Sequence, residues 1–268
     1  MRNKKYLFVL VAVIAMLAVA VFPVGAITNG ELDGDGHPQV VLILMEVDGQ
    51  PAYRCSGTLI APTYVLTAGH CAGAPGEFSG IRVFAESDVQ NDPTYPFAGG
   101  PNTVEAVRFA AHPLYPTAPF FVHDVGMIEL AQPIVLDEYA TLPAVDSLDA
   151  LKTKRGLQDQ SFTSVGYGLQ QINPVFVQSE RVRMVAHPHL IQINVPGFTG
   201  DFSLLLSNNH STGGTCFGDS GGPNFLDDSL VVGGVTSFGI NGNCAGTGGV
   251  FRMDRQDVQD FVYGFMTP

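Results

Sequence analysis

The hexapeptide GDSGGP at residues 218–223 constrains this chain more than any other stretch. It places Ser220 between an aspartate and two glycines, so little side-chain bulk covers the hydroxyl. Its first five residues also fit the pattern G-x-S-x-G, in which a nucleophilic serine lies on a sharp turn between a strand and a helix. Ser220 is therefore either a nucleophile or part of a glycine-rich turn, and residues elsewhere in the chain distinguish the two.

A serine hydroxyl is a weak nucleophile that needs a base, usually histidine, and a carboxylate that orients this base. The segment TAGHC, residues 67–71, provides His70 directly after a predicted strand. The segment HDVGMIEL, residues 123–130, provides Asp124 at the start of another strand. The chain thus carries all three residue types in the order His70, Asp124, Ser220.

This order excludes one hydrolase design. An α/β-hydrolase carries the serine first, then the acid and then the histidine. The last histidine here is His210, so no histidine follows Ser220. The observed order is instead the one found in chymotrypsin.

Together the three motifs resemble the chymotrypsin/trypsin-type serine protease family, and the resemblance covers the whole chain from residue 27 onward. It implies an all-β fold, with two antiparallel six-stranded β-barrels packed together and a C-terminal α-helix. It also implies a serine endopeptidase that hydrolyses protein or peptide substrates through an acyl-enzyme, in the cleft between the barrels. The alternative is a catalytically inactive homologue that uses this fold as a binding module.

The resemblance implies roles for individual residues. Ser220 would be the nucleophile, His70 the general base and Asp124 the acid that orients it. The backbone N–H groups of Gly218 and Ser220 would form the oxyanion hole. Six residues are implied to bind substrate: Gly214, Thr215, Ser237, Phe238, Gly239 and Gly249.

The implied specificity pocket carries no charge. Family members that cleave after basic residues have an aspartate six positions before the nucleophile, where this chain has Gly214. An arginine or lysine side chain would be poorly paired in such a desolvated pocket. We therefore expect an uncharged, apolar or aromatic side chain at P1, the residue before the scissile bond.

Residues 1–26 are predicted to be a signal peptide. Arg2, Lys4 and Lys5 precede an apolar run over Tyr6–Phe22, and the small residues of PVGA follow it. The alternative is an uncleaved membrane anchor, since 17 apolar residues lie at the lower edge of spanning length. Cleavage would give a secreted protein that no longer contacts the membrane and begins at Ile27. It removes three basic residues and no acidic one, so the net charge changes from −12 to −15.

The sequence ITNG after this cut resembles the mature N-terminus of the family. The resemblance implies that the new ammonium of Ile27 pairs with the carboxylate of Asp219 and so shapes the oxyanion loop. Because the signal cut and the activating cut coincide at Ala26–Ile27, we expect no separate zymogen.

Four cysteines in an exported chain indicate two disulfides, with three possible pairings. The absence of any C-x-x-C spacing disfavours a zinc site. The resemblance to the family implies the pairs Cys55–Cys71, which would brace the loop of His70, and Cys216–Cys244, which would frame the specificity pocket. No metal or other cofactor is expected.

Short apolar runs bounded by turn residues predict strands at residues 40–44, 58–60, 64–67, 125–130 and 230–235. A stripe of Val258, Phe261, Val262 and Phe265 predicts a C-terminal helix, with Asp254 among the acidic residues at its start. The expected organisation is a peptidase domain over residues 27–268. Its expected parts are a first barrel (27–145), a second barrel (146–252) and the helix (253–268).

The remaining features indicate packing or surface positions. We expect His112 to lie at the surface or in packing, His123 at the edge of the cleft, and Tyr167 within the second barrel. Residues 33–36, DGDG, lack the later carboxylates of a calcium loop and are expected to be a polar surface turn. The acidic surface disfavours nucleic acid as a partner, and we expect a monomer.

Overall fold

A computed structural model gives the fold of residues 27–97, 102–115, 122–151, 160–172, 176–196 and 199–267. The predicted signal peptide lies outside these described residues. Strands dominate, and the predicted fold class is confirmed, with two sheet units and a C-terminal helix. Neither helix in the described part of the chain combines the length and hydropathy that a bilayer crossing requires.

The first unit is a closed barrel of six antiparallel strands. Their bounds are β2 Val40–Val47, β3 Gln50–Ala61, β4 Tyr64–Thr67, β5 Gly80–Phe84, β6 Thr103–Ala111 and β7 Gly126–Leu130. The strand order around the barrel is β2-β3-β4-β7-β6-β5. Asp48 and Gly49, both with positive φ, form the two-residue turn between β2 and β3, as expected for a D-G hairpin. The four strands predicted in this region are confirmed.

The second unit is an eight-stranded antiparallel sheet, and it differs in strand number from the six-stranded barrel that the sequence led us to expect. The order is β1-β11-β8-β14-β15-β16-β13-β12. The bounds are β1 Glu31–Leu32, β8 Phe162–Gly166, β11 Met184–Ala186, β12 Leu190–Val195, β13 Gly200–Asn208, β14 Pro223–Leu226, β15 Val232–Gly239 and β16 Gly246–Arg252. One extra strand comes from the N-terminal segment, because β1 pairs with β11. A separate two-stranded ribbon joins β9 Gln171–Ile172 to β10 Val177–Gln178.

Two α-helices are present among the described residues, α1 Gly69–Ala72 and α2 Gln256–Met266, with 3-10 turns at Val89–Asn91 and Ser147–Leu151. The predicted stripe on α2 is confirmed as a docking face, since Val258 and Val262 are fully buried and the two phenylalanines pack against the same core. The expected role of Asp254 is wrong. Asp254 is buried before the helix, pairs with Arg252 and accepts a hydrogen bond from the Leu148 N–H.

A buried polar cluster joins the two units next to the N-terminal segment. Arg183 donates from Nε to Asp33 Oδ2 (2.8 Å) and from Nη1 to the Val40 carbonyl oxygen of β2 (3.1 Å). Tyr167, expected within the second unit alone, donates its hydroxyl to the Glu86 carbonyl oxygen of the first (2.7 Å). Asp33 is therefore part of a buried ion pair, and the expectation of a polar surface turn is wrong at this residue.

Candidate active site

His70 and Asp124 form the polar centre of the cleft. His70 lies in α1, directly after β4, and Asp124 lies two residues before β7. The pairing of β4 with β7 brings the two side by side. His70 Nδ1 lies 3.0 Å from Asp124 Oδ2, and the His70 backbone N–H donates to Oδ1 (2.9 Å). The aspartate is fully buried, whereas 29% of the histidine side chain remains exposed. The carboxylate thus fixes one ring nitrogen and leaves the rest of the imidazole open to the cleft.

Ser237 completes the hydrogen bonding of this carboxylate from the second unit. Its hydroxyl donates to Asp124 Oδ2 at 2.5 Å. The register between β15 and β16 shifts between Thr236 and Phe238, which marks a β-bulge at Ser237. Bulges re-aim side chains and are common beside functional sites. Both structural units therefore contribute to the environment of Asp124.

The pKa of His70 reflects two opposing effects. Burial disfavours the imidazolium and lowers the pKa, whereas the charge of Asp124 and its hydrogen bond raise it, with a smaller contribution from Glu77. The carboxylate prevails, and the pKa is raised above the usual 6.5. His70 is therefore more basic than an ordinary histidine despite its burial.

Ser220 and His70 line the same cavity, of about 340 Å³. No hydrogen bond joins the Ser220 hydroxyl to the His70 ring among the described residues, and such contacts commonly shorten only when a substrate is bound. Within the same part of the chain, the N–H groups of Gly218 and Ser220 donate to no protein acceptor. Gly218 has φ +98°, a conformation that favours glycine. Two unused backbone donors therefore flank the serine.

Ser56, which the sequence analysis missed, supports these donors from the first barrel. Its hydroxyl donates to the Gly218 carbonyl oxygen (3.0 Å), and its N–H donates to the Ser220 carbonyl oxygen (2.8 Å). The same hydroxyl accepts from the Tyr167 N–H (2.9 Å). Ser56 is fully buried, so these bonds are shielded from water. Only its position beside Cys55 could have drawn attention to it.

Asp219 is a fully buried carboxylate behind the serine. It accepts hydrogen bonds from the Gly168 N–H (2.7 Å) and the Cys216 N–H (2.8 Å). A Cβ on Gly168 would lie 2.3 Å from Asp219 Oδ2, so the glycine makes room for the carboxylate. Burial raises the pKa of Asp219 to about 7, against the opposing effects of the two N–H donors and of Arg54. Ile27 is buried against Met184 and Ala186, and its nitrogen here belongs to the peptide bond with residue 26.

The structure brings most of the predicted substrate-binding residues to the cavity of His70 and Ser220. Four of the six line it, namely Thr215, Ser237, Phe238 and Gly239. Gly214 lies behind the wall, where a Cβ would meet the Asn208 side chain at 2.4 Å. Gly249 lies beneath Phe238, where a Cβ would approach the ring to 2.3 Å. These two glycines shape the cavity without lining it.

Further lining residues were missed by the sequence analysis: Asn208, Asn241 and Thr247. They come from separate strands and loops, so no local pattern indicates them. Among the described residues that line the cavity, His70 alone has an ionisable side chain that could pair with a charge. The Asn208 amide donates to the Thr215 carbonyl oxygen (2.7 Å) and its Oδ1 accepts from the Thr28 hydroxyl (2.9 Å), which fixes this wall of the cavity.

Both disulfides expected from the resemblance are present, Cys55–Cys71 and Cys216–Cys244. The first joins β3 to the helix that carries His70. The second borders the cavity, since both of its cysteines line the wall. Disulfides of this kind typically contribute about 2–4 kcal/mol to stability.

His123 does not lie at the edge of the cleft, contrary to expectation. It is buried, and its ring stacks on that of His112 with the centroids 4.7 Å apart. Phe202 packs against the same ring at 4.9 Å. The stack lies beside the C-terminal helix, because His123 Nδ1 is 3.3 Å from Asp257 Oδ2. Since His123 directly precedes Asp124, the rings of His112 and Phe202 pack behind the segment that carries this carboxylate.

Comparisons with known proteins give one consistent result. A family model described as Trypsin matches residues 33–261. Brachyurin of Leptuca pugilator is 29% identical over 198 residues, which cover 72% of this chain and 78% of that protein. A trypsin of Simulium vittatum is 26% identical over 256 residues, which cover 87% of this chain and 92% of that protein. The solved structure of HL collagenase has a TM-score of 0.69 at 22% identity, covering 90% of this chain and 99% of that one, a likeness of fold.

The opposing effects of burial and of the carboxylates on the pKa of His70 can be separated by titrating variants. In the Asp124→Asn variant, burial acts with little opposition, so we expect the pKa of His70 to fall from above 6.5 to below it. Glu77→Gln removes the weaker of the two carboxylate contributions and should lower the pKa less. The measurement is the chemical shift of the imidazole protons against pH. An unchanged midpoint in Asp124→Asn would show that this carboxylate does not set the basicity of His70.

Proposed function

Since the chain belongs to the trypsin family, we propose that it is a secreted serine endopeptidase that hydrolyses peptide bonds through an acyl-enzyme on Ser220. One observation carries the proposal above the others. A fully buried carboxylate, Asp124, is bonded to Nδ1 of a partly exposed histidine, His70, which shares a cavity with Ser220. This is the arrangement that hydroxyl activation requires.

In the proposed mechanism, the bond to Asp124 keeps the proton of neutral His70 on Nδ1 and leaves the Nε2 lone pair free. Nε2 takes the proton of Ser220 as its oxygen attacks the substrate carbonyl carbon. The protonated imidazole then gives this proton to the leaving amine as the peptide bond breaks. Water, deprotonated by His70, hydrolyses the resulting ester and restores Ser220.

The oxyanion of each tetrahedral intermediate is proposed to accept from the N–H groups of Gly218 and Ser220. Both donors are unused within the described chain, and Ser56 holds the neighbouring carbonyl groups in place. Donors fixed in advance need no reorganisation as charge develops. One such donor is typically worth about 10²–10³ in turnover.

We expect an organophosphonate probe to label Ser220. Ser220→Ala and His70→Ala should abolish labelling and lower kcat by about 10⁴-fold or more, because nucleophile and base act as a unit. Ser229→Ala, which removes an exposed serine in a turn, is the matched control and should label normally. Mass spectrometry locates the adduct. A properly folded wild-type protein that takes up no probe would instead support the inactive binding module.

The cavity supports a preference for an uncharged P1 side chain, because no carboxylate of the described residues lines it. We expect peptides with Phe or Leu at P1 to be cleaved at least about tenfold faster, as kcat/KM, than those with Arg or Lys. Thr247→Asp should raise the ratio of kcat/KM for peptides with Arg at P1 to that for peptides with Phe at P1. Thr247→Asn, which introduces a side chain of the same shape as aspartate but without its charge, should not. Fastest wild-type cleavage after Arg or Lys would refute the proposal.

The N-terminal segment is proposed to activate the site after cleavage behind Ala26. Thr28 already docks beside the pocket, donating its hydroxyl to Asn208 Oδ1 (2.9 Å). The ammonium formed at Ile27 would then pair with Asp219. Burying either charge without the other would cost desolvation free energy, so each charge stabilises the other.

This pairing predicts a pH effect on stability. Without an ammonium, the pKa of Asp219 is raised from 3.8 to about 7 in the folded state. The folded state then binds more protons than the unfolded one between these values, so stability falls as pH rises through this window. As the pH rises through this window, a form that begins at Ile27 should lose less stability than a form that retains Gly25 and Ala26, because its ammonium stabilises the Asp219 carboxylate.

Thermal unfolding of both forms at pH 5 and pH 8 measures this difference, and Asp219→Asn should abolish it. Identical pH dependence in the two forms would contradict the pairing. N-terminal sequencing of the secreted protein gives a separate check, with Ile27 expected as the first residue.

A further inference from the structure

Two arginines in the described part of the chain lack an acidic partner. Seven arginines are described there, and five form ion pairs with carboxylates: Arg82, Arg108, Arg183, Arg252 and Arg255. Arg54 and Arg181 form none. Unpaired arginines are thus the exception among these seven described ones, and here the two lie together.

Both line one cavity of about 440 Å³, together with Tyr95, Phe217 and Gly218. Each guanidinium is bonded to neutral groups only. Arg54 donates from Nη2 to Ser179 Oγ (2.7 Å), and Arg181 donates from Nη1 to Gln90 Oε1 (2.8 Å) while lying over the Tyr95 ring. The Nε of Arg181 is buried without a hydrogen-bond partner.

The two charges also repel one another. Burial lowers the pKa of Arg54, and the positive charge of Arg181 lowers it further. Asp219 attracts Arg54, but its two oxygens are already bonded to the Gly168 and Cys216 N–H groups. A ligand carboxylate in this cavity would offset the repulsion between the two guanidinium groups and could accept charge-assisted hydrogen bonds from them.

The cavity borders the site on the side away from β15. Phe217 lines both cavities, whereas Gly218, a proposed oxyanion donor, lines only the arginine cavity. The acyl side of a substrate would lie along Ser237–Gly239 in the other cavity. The leaving-group side must run past Gly218, and an extended chain, rising about 3.3 Å per residue, reaches this cavity within a few residues.

We propose that this cavity binds an aspartate or glutamate side chain within the first three residues after the scissile bond, with Arg54 and Arg181 as the specificity-determining residues. The inference rests on the proposed peptidase function and names a substrate class for it. It also gives an acidic protein a way to accept an acidic substrate, since the two arginines reverse the sign of the charge beside the cleft.

The test uses fluorogenic peptides that differ only by Asp or Asn at each of the three positions after the scissile bond. At one position, we expect the wild type to prefer Asp by about tenfold in kcat/KM at low salt, and less at 1 M salt because the charges are screened. Arg181→Gln should reduce this ratio below about twofold. Arg108→Gln, with the same change of charge at a residue that lines neither cavity, should keep it.

A chromogenic amide with no residues after the scissile bond reports only on the catalytic residues and the P1 pocket. The Arg181→Gln variant should cleave it at the wild-type rate. Arg54→Gln is a second variant with the same expectation for the Asp/Asn ratio. Equal cleavage of the Asp and Asn peptides at all three positions would overturn the inference and leave the proposed function intact. A preference that survives in both variants would also overturn it.

Binding to the Ser220→Ala variant separates the two proposals. Fluorescence anisotropy should show tighter binding of the Asp peptide, and this preference should disappear when Arg181→Gln is added. If the wild type cleaves no peptide but Ser220→Ala still prefers the Asp peptide, the proposed function fails and the acid-binding cavity stands. Equal binding of both peptides would count against the cavity.

Discussion

The need to stabilise one buried negative charge, that of Asp124, organises the centre of this molecule. A carboxylate removed from water must be matched by donors, and here these come from both units. His70 supplies its backbone N–H and its ring from the first barrel, and Ser237 supplies its hydroxyl from the eight-stranded sheet. The bulge at Ser237 and the short helix that carries His70 both serve this convergence. The residues around the serine depend on it, because the cleft exists only where the two units meet at this point.

The loop that carries Ser220 is stabilised in the same way, by polar groups from outside itself. Ser56 of β3 bonds to two of its carbonyl oxygens, and the Gly168 N–H bonds to Asp219. Tyr167 connects these supports, since its N–H donates to the Ser56 hydroxyl. The position of the serine is thus determined by residues that carry out no chemistry. Such an arrangement preorganises the site without crowding the space where a substrate would lie.

The sequence predicted the parts of the structure that are encoded locally. The barrel strands followed from short apolar runs bounded by turn residues, the stripe of the C-terminal helix from helical periodicity, and the fold class from the family resemblance that three short motifs carry. Ser56 and Asn208 could not be found in this way, because Ser56 bonds to Gly218, 162 residues away, and Asn208 links Thr215 to Thr28, which lies 180 residues away. Asp254 was misassigned because the acidic residues that follow it suggest a helix start. Its charge is instead held by the nearby Arg252 and by the distant Leu148 N–H, and the acidic pattern reveals neither contact.

The cluster of Arg183, Asp33 and Tyr167 has a consequence for motion. Any separation of the two units would break the bonds from Arg183 to Val40 and from Tyr167 to Glu86, although Arg183 would keep its ion pair with Asp33. Each buried polar group left without its hydrogen-bond partner typically costs about 1–3 kcal/mol. These bonds therefore hold the cleft between the two units at a constant width. For the proposed peptidase, this means that the substrate would supply the flexibility, so extended or locally unfolded segments would fit the cleft better than compact ones.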